Sequence, residues 1–341
     1  MTSQLGLTER IFASGEDRAF AAAVEDGLDI VEAGLHNEMR FADQLADVTA
    51  RYLLKAGGKR VRPMLTLLAA QLGDGNTPQV ITAAEAVEIT HLASLYHDDV
   101  MDEAQMRRGV PSAQFVWGNS VAVLTGDLLF ARASKLVAGL GERAIRLQAD
   151  TFERLCLGQL HETIGPDDDE DPIAHYIQVL ADKTGSLISV AAQMGVVFSN
   201  AAAEYEQPVV TFGEKIGVAF QLIDDVIDLS STADATGKVP GTDLRAGVAT
   251  LPLLKLRRRA KTDAASAALL ERLETEVIGA PDDVDVSGAV AALRAHEVTR
   301  ETLDEAHSWA REAVSALEPL PAGPVKKALT RFAETIVERS S

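Results

Sequence analysis

Apolar residues recur along most of this chain at spacings of three and four, the period of one helix face. Residues 1–55 read as helices with ordinary amphipathic spacing. An apolar helix follows from Met64 to Leu72. It starts after Pro63, whose preset φ and missing N–H suit a first turn. Gly73 to Pro78 reads as a turn, and 79–106 as one long helix closed by Arg107-Arg108-Gly109. Further helices are predicted over Asn119–Val137, Ala144–Ile164, Asp171–Phe198 and Val209–Leu229. Ser230 to Gly247 reads as a polar loop, and 250–341 as helix broken by a loop at 279–288 and by Pro319, Pro321 and Pro324. Alternating apolar and polar residues never run beyond a few positions, so strands have no signal. The expectation is an all-α fold, a single large bundle of antiparallel helices around a central cavity, with 1–341 as one domain.

Composition narrows the partners. The 341 residues are 47% hydrophobic, enough for a large core. Lys and Arg number 32 against 51 Asp and Glu, a net charge of −19. Nucleic acid and anionic membrane call for a basic surface and are excluded as main partners. Cys156 is the single cysteine. It cannot form an internal disulfide and reads as a buried packing thiol. No apolar run approaches the roughly 18 residues of a membrane span. The first residues lack a charged segment followed by an apolar core. A soluble, cytoplasmic protein is expected.

The candidate chemistry begins with Asp98-Asp99-Val100-Met101-Asp102, whose pattern returns at Asp224-Asp225-Val226-Ile227-Asp228. At about 100° per residue, positions i and i+4 lie roughly 40° apart on a helix. Asp98 and Asp102 therefore share a face, as do Asp224 and Asp228. Such pairs repel, and a fold that keeps two of them calls for cations between them. Hard oxygen ligands, few per metal, describe Mg²⁺ better than Ca²⁺ or Zn²⁺. A solvated acidic face would explain one copy but not two, each directly after apolar residues. Asp282-Asp283-Val284-Asp285 and the run Asp167 to Asp171 sit between Pro and Gly or between prolines, and read as surface loops.

The cations fall beside these motifs. In Gly57-Gly58-Lys59-Arg60-Val61-Arg62-Pro63 the glycines let backbone approach a ligand, and three cations precede a helix start. That is an anion site or, equally, a C-cap followed by a solvated basic turn. His91 falls within roughly 20° of the face carrying Asp98. Arg107 and Arg108 place two guanidinium forks just beyond the acidic motif. Lys183 lies in Lys183-Thr184-Gly185-Ser186, and Gln221 shares an arc of about 100° with Asp224, Asp225 and Asp228. Two acidic helices and two basic clusters imply two phosphate-bearing ligands. An acidic face holds a diphosphate only through a metal, which also stabilises charge on a departing diphosphate oxygen. Ionisation of a carbon–diphosphate bond in a water-poor cavity fits these parts.

Here the chain resembles the trans-isoprenyl (polyprenyl) diphosphate synthases, from about residue 50 to 257. The resemblance rests on Gly57 to Pro63, His91 to Asp102, Arg107-Arg108-Gly109, Gly126-Asp127, Lys183-Thr184-Gly185, Phe220 to Asp225, and Gly237-Lys238 through Leu251-Pro252, in the family's order. It implies the isoprenoid synthase type of helical fold and a condensation of isopentenyl diphosphate with an allylic diphosphate. By resemblance, Lys59, Arg62 and His91, with Arg108, hold the isopentenyl diphosphate group, and Arg60 is counted with them. Asp98, Asp102 and Asp224 bind three Mg²⁺ that bridge to the allylic diphosphate; Asp99, Asp225 and Asp228 are counted as metal ligands with them. Arg107, Lys183 and Lys238 contact the allylic group, and Thr184 and Gln221 lie near the developing cation. A homodimer is implied as well. One departure is Val248, where many members carry Lys, so no role is transferred to it.

Small residues, Ser94 and Ala93, precede the first motif where bulky ones block the family's elongation tunnel. They imply a product longer than C15, and Ser94 lies on the same face as Asp98, one turn below it. A class I terpene cyclase would share the first motif, but its second normally includes Asn, Ser/Thr and Glu. A phosphohydrolase built on His97-Asp98 would leave the second motif unexplained. A non-catalytic subunit of a heteromeric synthase would have degraded acidic motifs, whereas both are intact here.

Overall fold

The computed structural model of the chain describes Ile11 and residues 18–230, 241–281 and 284–338. Helices dominate: α1 (Arg18–Glu38), α2 (Gln44–Ala50), α3 (Tyr52–Lys55), α4 (Val61–Ala70) and α5 (Pro78–Met101) open the chain. A two-stranded hairpin, β1 (Met106–Arg107) and β2 (Val110–Pro111), leads to α6 (Ala113–Trp117), α7 (Asn119–Leu140) and α8 (Glu142–Ile164). Next come α9 (Pro172–Leu180), a π-helical turn (Ala181–Gly185), α10 (Ser186–Phe198) and α11 (Glu206–Ser230). The chain closes with α12 (Thr242–Arg245), α13 (Leu251–Ala260), α14 (Ala264–Glu276), α15 (Ser287–Ala295), α16 (Glu297–Ala316) and α17 (Pro324–Val337). The expected all-α class is what the structure has.

The predicted helix 79–106 ends early, at Met101. Asp102 caps it, and the following residues turn back as the hairpin, pairing Met106 with Pro111 and Arg107 with Val110. Arg108 and Gly109 at its tip both have positive φ, 53° and 77°. Left-handed backbone at both central residues matches the right-handed twist of paired strands. Arg107 and Arg108 are therefore hairpin residues, not the last turn of a helix. A second correction concerns Cys156, which is exposed on α8 rather than buried.

The residues divide into two compact units. The first comprises Met1–Glu153, Ser186–Gly213 and Ala316–Arg331. Its centre is α5, buried on nearly every side, as expected of a helix apolar all round. Thr77 starts it: its side chain accepts from Val80 N at 3.2 Å, ahead of Pro78 in the first turn. Small residues let neighbours approach. A Cβ on Gly126 of α7 would collide with the His97 imidazole on α5. A Cβ on Gly195 of α10 would collide with the Thr66 carbonyl on α4, where the Thr66 hydroxyl donates to Ala191 O at 2.9 Å. Tyr96, fully buried on α5, donates to Thr49 O and accepts from Leu53 N at 3.3 Å, which pins α2 and α3.

The second unit comprises Arg154–Gly185, Glu214–Ser315 and Phe332–Ser341. One cluster forms its core, including Leu229, Leu244, Leu253, Leu256, Leu273, Val277, Val290 and Leu293. Asp171 caps α9 by accepting from Ile173 N at 3.0 Å, with Pro172 at the first helical position. Gly217 on α11 packs backbone to backbone against Gly185 at the end of the π-helical turn, and a Cβ there would come 2.6 Å from the Gly185 Cα. Among the described residues, no helix is long and apolar enough to cross a membrane.

Candidate functional site

In the first unit, the 57–60 loop, the start of α4, the middle of α5 and the hairpin bring Arg60, Arg62, His91 and Arg108 into one charged cluster. The backbone allows it through positive φ at Gly57 (92°) and Arg60 (47°). A Cβ on Gly58 would press on the guanidinium groups of Arg60 and Arg108. Arg108 Nη1 donates to Leu53 O at 3.0 Å and to Gly57 O. Arg60 donates through Nε and Nη2 to Glu32 at 2.6 and 3.0 Å, and through Nη1 to Glu88 at 3.2 Å.

Burial strips water from these cations. It lowers the Arg62 pKa to about 10, opposed by Glu88 and reinforced by Arg108. The Arg62 Nε is buried with no hydrogen-bond partner. His91 is held well below its ordinary pKa by burial and then by Arg62 and Arg108, so its imidazole is neutral. Desolvated guanidiniums next to a neutral imidazole, with an orphaned donor, suit a diphosphate. Lys59 is exposed on the same loop.

The two acidic motifs are built alike. On α5, Asp98 is half-buried and Asp102 exposed, while Asp99 is 0% exposed. Asp99 accepts from Arg107 Nε at 2.6 Å, and its other oxygen is buried with no hydrogen-bond partner. Burial raises its pKa, and Arg107 opposes the rise. On α11 of the second unit, Asp224 and Asp228 are half-buried and Asp225 is 6% exposed. Asp225 accepts from the Tyr176 hydroxyl at 2.8 Å and from Leu251 N at 3.4 Å. Burial pushes it up to about 8 despite Tyr176. Asp228 accepts from Asp243 N at 3.2 Å. The middle acid of each motif thus faces protein, while the first and last lie on the more accessible side.

In the same unit, the π-helical turn carries Lys183 and Thr184, both half-buried. Lys183 Nζ pairs with Glu162 on α8. Gln221, half-buried, lies one turn beyond Gly217, which packs on the end of that turn. Arg154 braces the turn through Asp182 at 2.9 Å and reaches Glu214 at 2.6 Å. Lys238 lies outside the described residues, as do Asp282 and Asp283.

Mg²⁺ fits this donor set. Every candidate ligand is a carboxylate oxygen, and among the described residues no three His, Cys, Asp or Glu close into a ready cage. An ion that keeps its waters and takes oxygens from phosphate needs no such cage. Sequence reasoning missed Glu32, Glu88, Tyr176 and Glu162. Glu88 left one trace, a charge three residues before His91 inside an apolar helix; the others had none.

A helical fold with two acid-rich helix segments and a desolvated guanidinium cluster suits an enzyme that handles diphosphates with the help of a divalent metal. The chain matches the polyprenyl synthetase family over residues 43–282 and belongs to it. It is 44% identical over 325 residues to a nonaprenyl diphosphate synthase of Mycobacterium tuberculosis, covering 95% of each chain. Among solved structures, a geranylgeranyl pyrophosphate synthase from Corynebacterium glutamicum, complexed with calcium and isoprenyl diphosphate, superposes with a TM-score of 0.83 at 40% identity. That match covers 96% of this chain and 99% of the other. A decaprenyl diphosphate synthase from Rhodobacter capsulatus gives 0.83 at 33% identity, covering 95% and 99%. This protein is a prenyltransferase of isoprenoid biosynthesis with the all-α isoprenoid synthase fold.

Proposed function

We propose that the chain, acting as one catalytic domain over 1–341, condenses isopentenyl diphosphate with an allylic diphosphate in successive rounds, releasing a trans-polyprenyl diphosphate longer than C15. Lys59, Arg62, His91 and Arg108 hold the isopentenyl diphosphate group. Asp98, Asp102 and Asp224, with Asp228, would hold Mg²⁺, three ions in all. Arg107, Lys183 and Lys238 complete the grip on the allylic diphosphate. Held there, Mg²⁺ would supply the positive charge that screens the carboxylates and stabilises the leaving diphosphate.

The chain's own groups do the rest. Asp99 and Asp225 act from behind the ligands: each is buried and tied to a protein donor, which sets the rotation of its helix and so the direction of its neighbours. Arg60 plays the same supporting part in the basic loop, because Glu32 and Glu88 engage its fork. Thr184 and Gln221 turn polar atoms toward the developing carbocation without attacking it. The allylic C–O bond breaks, its electron pair leaving with the diphosphate. The isopentenyl double bond supplies the new C–C bond, and a proton then passes to the released diphosphate. Apolar walls keep water from the cation.

The observation that carries this reading is the shared construction of the two motifs, with Asp99 on Arg107 and Asp225 on Tyr176. Replacing Asp98 or Asp224 by Ala should lower turnover by at least about 10³-fold with little loss of Tm, since removing one member of a repelling cluster relieves strain. Activity within tenfold of wild type in either variant would sink the assignment.

Chain length belongs to α5. Ser94 and Ala93 are buried, and one turn below Ser94 the same stripe continues as Thr90, Val87 and Ala86. Those three residues line a small cavity of about 10 Å³ with Val137, Gln148, Thr151, Leu187, Val190 and Met194. A growing chain passes Ser94 and widens this space by moving its apolar side chains. The active species is a homodimer, and a second copy covers the apolar face that Val123, Leu124 and Leu128 expose on α7.

A further inference from the structure

The basic cluster contains one acid whose role so far is a single bond to Arg60. Glu88, three residues before His91 on α5, is 2% exposed, and its carboxylate accepts from Arg60 Nη1 at 3.2 Å. Arg60 does not depend on it for anchorage. Glu32 already engages its Nε and Nη2 at 2.6 and 3.0 Å, and the carbonyls of Gly57 and Leu54 accept at 3.4 Å each. A buried carboxylate is costly to keep, so its charge calls for an explanation. Burial raises its pKa, and Arg62, Arg60 and Arg108, the cations that face it, act against that rise. Its field therefore falls on Arg62 and Arg108, two cations assigned to isopentenyl diphosphate.

Repeated condensation supplies the reason. In each round the allylic diphosphate departs, but the diphosphate of the isopentenyl unit is not cleaved. It becomes the diphosphate of the lengthened product while still seated among Arg62, His91 and Arg108. Before the next round it has to vacate that seat and take the allylic position. Two desolvated guanidiniums, Arg62 and Arg108, with no buried counter-charge would hold it too tightly, because Coulomb attraction is strong where water is scarce.

We propose that Glu88 is a positioning residue that, through Arg60, Arg62 and Arg108, weakens the cluster's hold so that the lengthened diphosphate leaves it between rounds. This rests on the assignment of that cluster to isopentenyl diphosphate. Glu88→Gln keeps the shape and the acceptor for Arg60 and removes the charge. Titration calorimetry of the full chain with Mg²⁺ and isopentenyl diphosphate should show binding tightened by about 3- to 10-fold. The first condensation onto farnesyl diphosphate, followed in a single turnover, should stay within about twofold of wild type. Multi-round turnover should fall, and the product distribution should shift to shorter chains. Glu32→Gln, on the solvent side of Arg60, should do much less because water screens it.

Unchanged or weaker isopentenyl diphosphate binding in folded Glu88→Gln overturns the proposal, as do unchanged product lengths. Arg62→Gln tells that failure apart from failure of the site assignment. If Arg62→Gln does not weaken isopentenyl diphosphate binding, the assignment is wrong; if it does while Glu88→Gln changes nothing, only the role of Glu88 is lost. Should the glutamine variant not fold, Glu88→Asp against Glu88→Asn gives the same comparison of charge at constant shape, with the aspartate keeping wild-type product lengths.

Discussion

Single acids in this protein are governed by what faces them. Glu85 on α5 is 8% exposed, and its side chain fills the space that a Cβ on Gly34 of α1 would need. Burial, then repulsion from Glu38, raises its pKa from 4.5 to about 7. The folded state thus binds a proton that the unfolded state releases near 4.5, and stability falls as pH climbs between those two values. Glu85→Gln should leave Tm unchanged near pH 4 and raise stability at pH 8 by about 1–3 kcal/mol, read by thermal unfolding across pH. A pH-independent effect would refute this. The same scale shows what the sequence could convey. Helical phase brings Asp98 and Asp102 to one face and leaves Asp99 about 100° away, so its inward turn was foreseeable in direction. Its partner was not, because Arg107 reaches it from a hairpin that no periodicity announces.

Elements carried most of what was legible. A proline in the first turn of α4 and the three-four spacing place α4, α5, α7, α8 and α11 close to where the structure has them. The failures share a cause, local backbone that breaks the period. Left-handed residues at Arg108 and Gly109 turn a predicted last helical turn into a hairpin, and the turn Ala181–Gly185 holds one extra residue inside a helix that reads as continuous. Close helix contacts were invisible for a different reason: a glycine's partner lies on another element. Gly126→Ala should cost about 2–3 kcal/mol of stability in chemical denaturation, since α7 cannot approach α5 without displacing His97. An effect under about 0.5 kcal/mol would refute the packing account. Along α5 itself, Ser94→Phe should shorten the prenyl product while retaining turnover, measured by sizing labelled products. An unchanged distribution would remove Ser94 from the path of the chain.

For the molecule as a whole, composition set limits and the motifs set the activity. A net charge of −19 leaves the basic residues as a minority, and of those beside the motifs Arg60, Arg62 and Arg108 gather around Glu88 while Arg107 pairs with Asp99. What lies outside a single chain was carried by resemblance alone. The apolar face of α7, with Leu124 61% exposed, is where a second copy is proposed. Leu124→Arg should convert a dimer to a monomer in light scattering, with loss of activity, and an unchanged mass would exclude that face. Cys156 offers a route to the same question that leaves this face intact. As the lone thiol, on an accessible side of α8, it accepts one maleimide dye per polypeptide, and mixing donor- and acceptor-labelled protein would turn subunit exchange into a fluorescence signal.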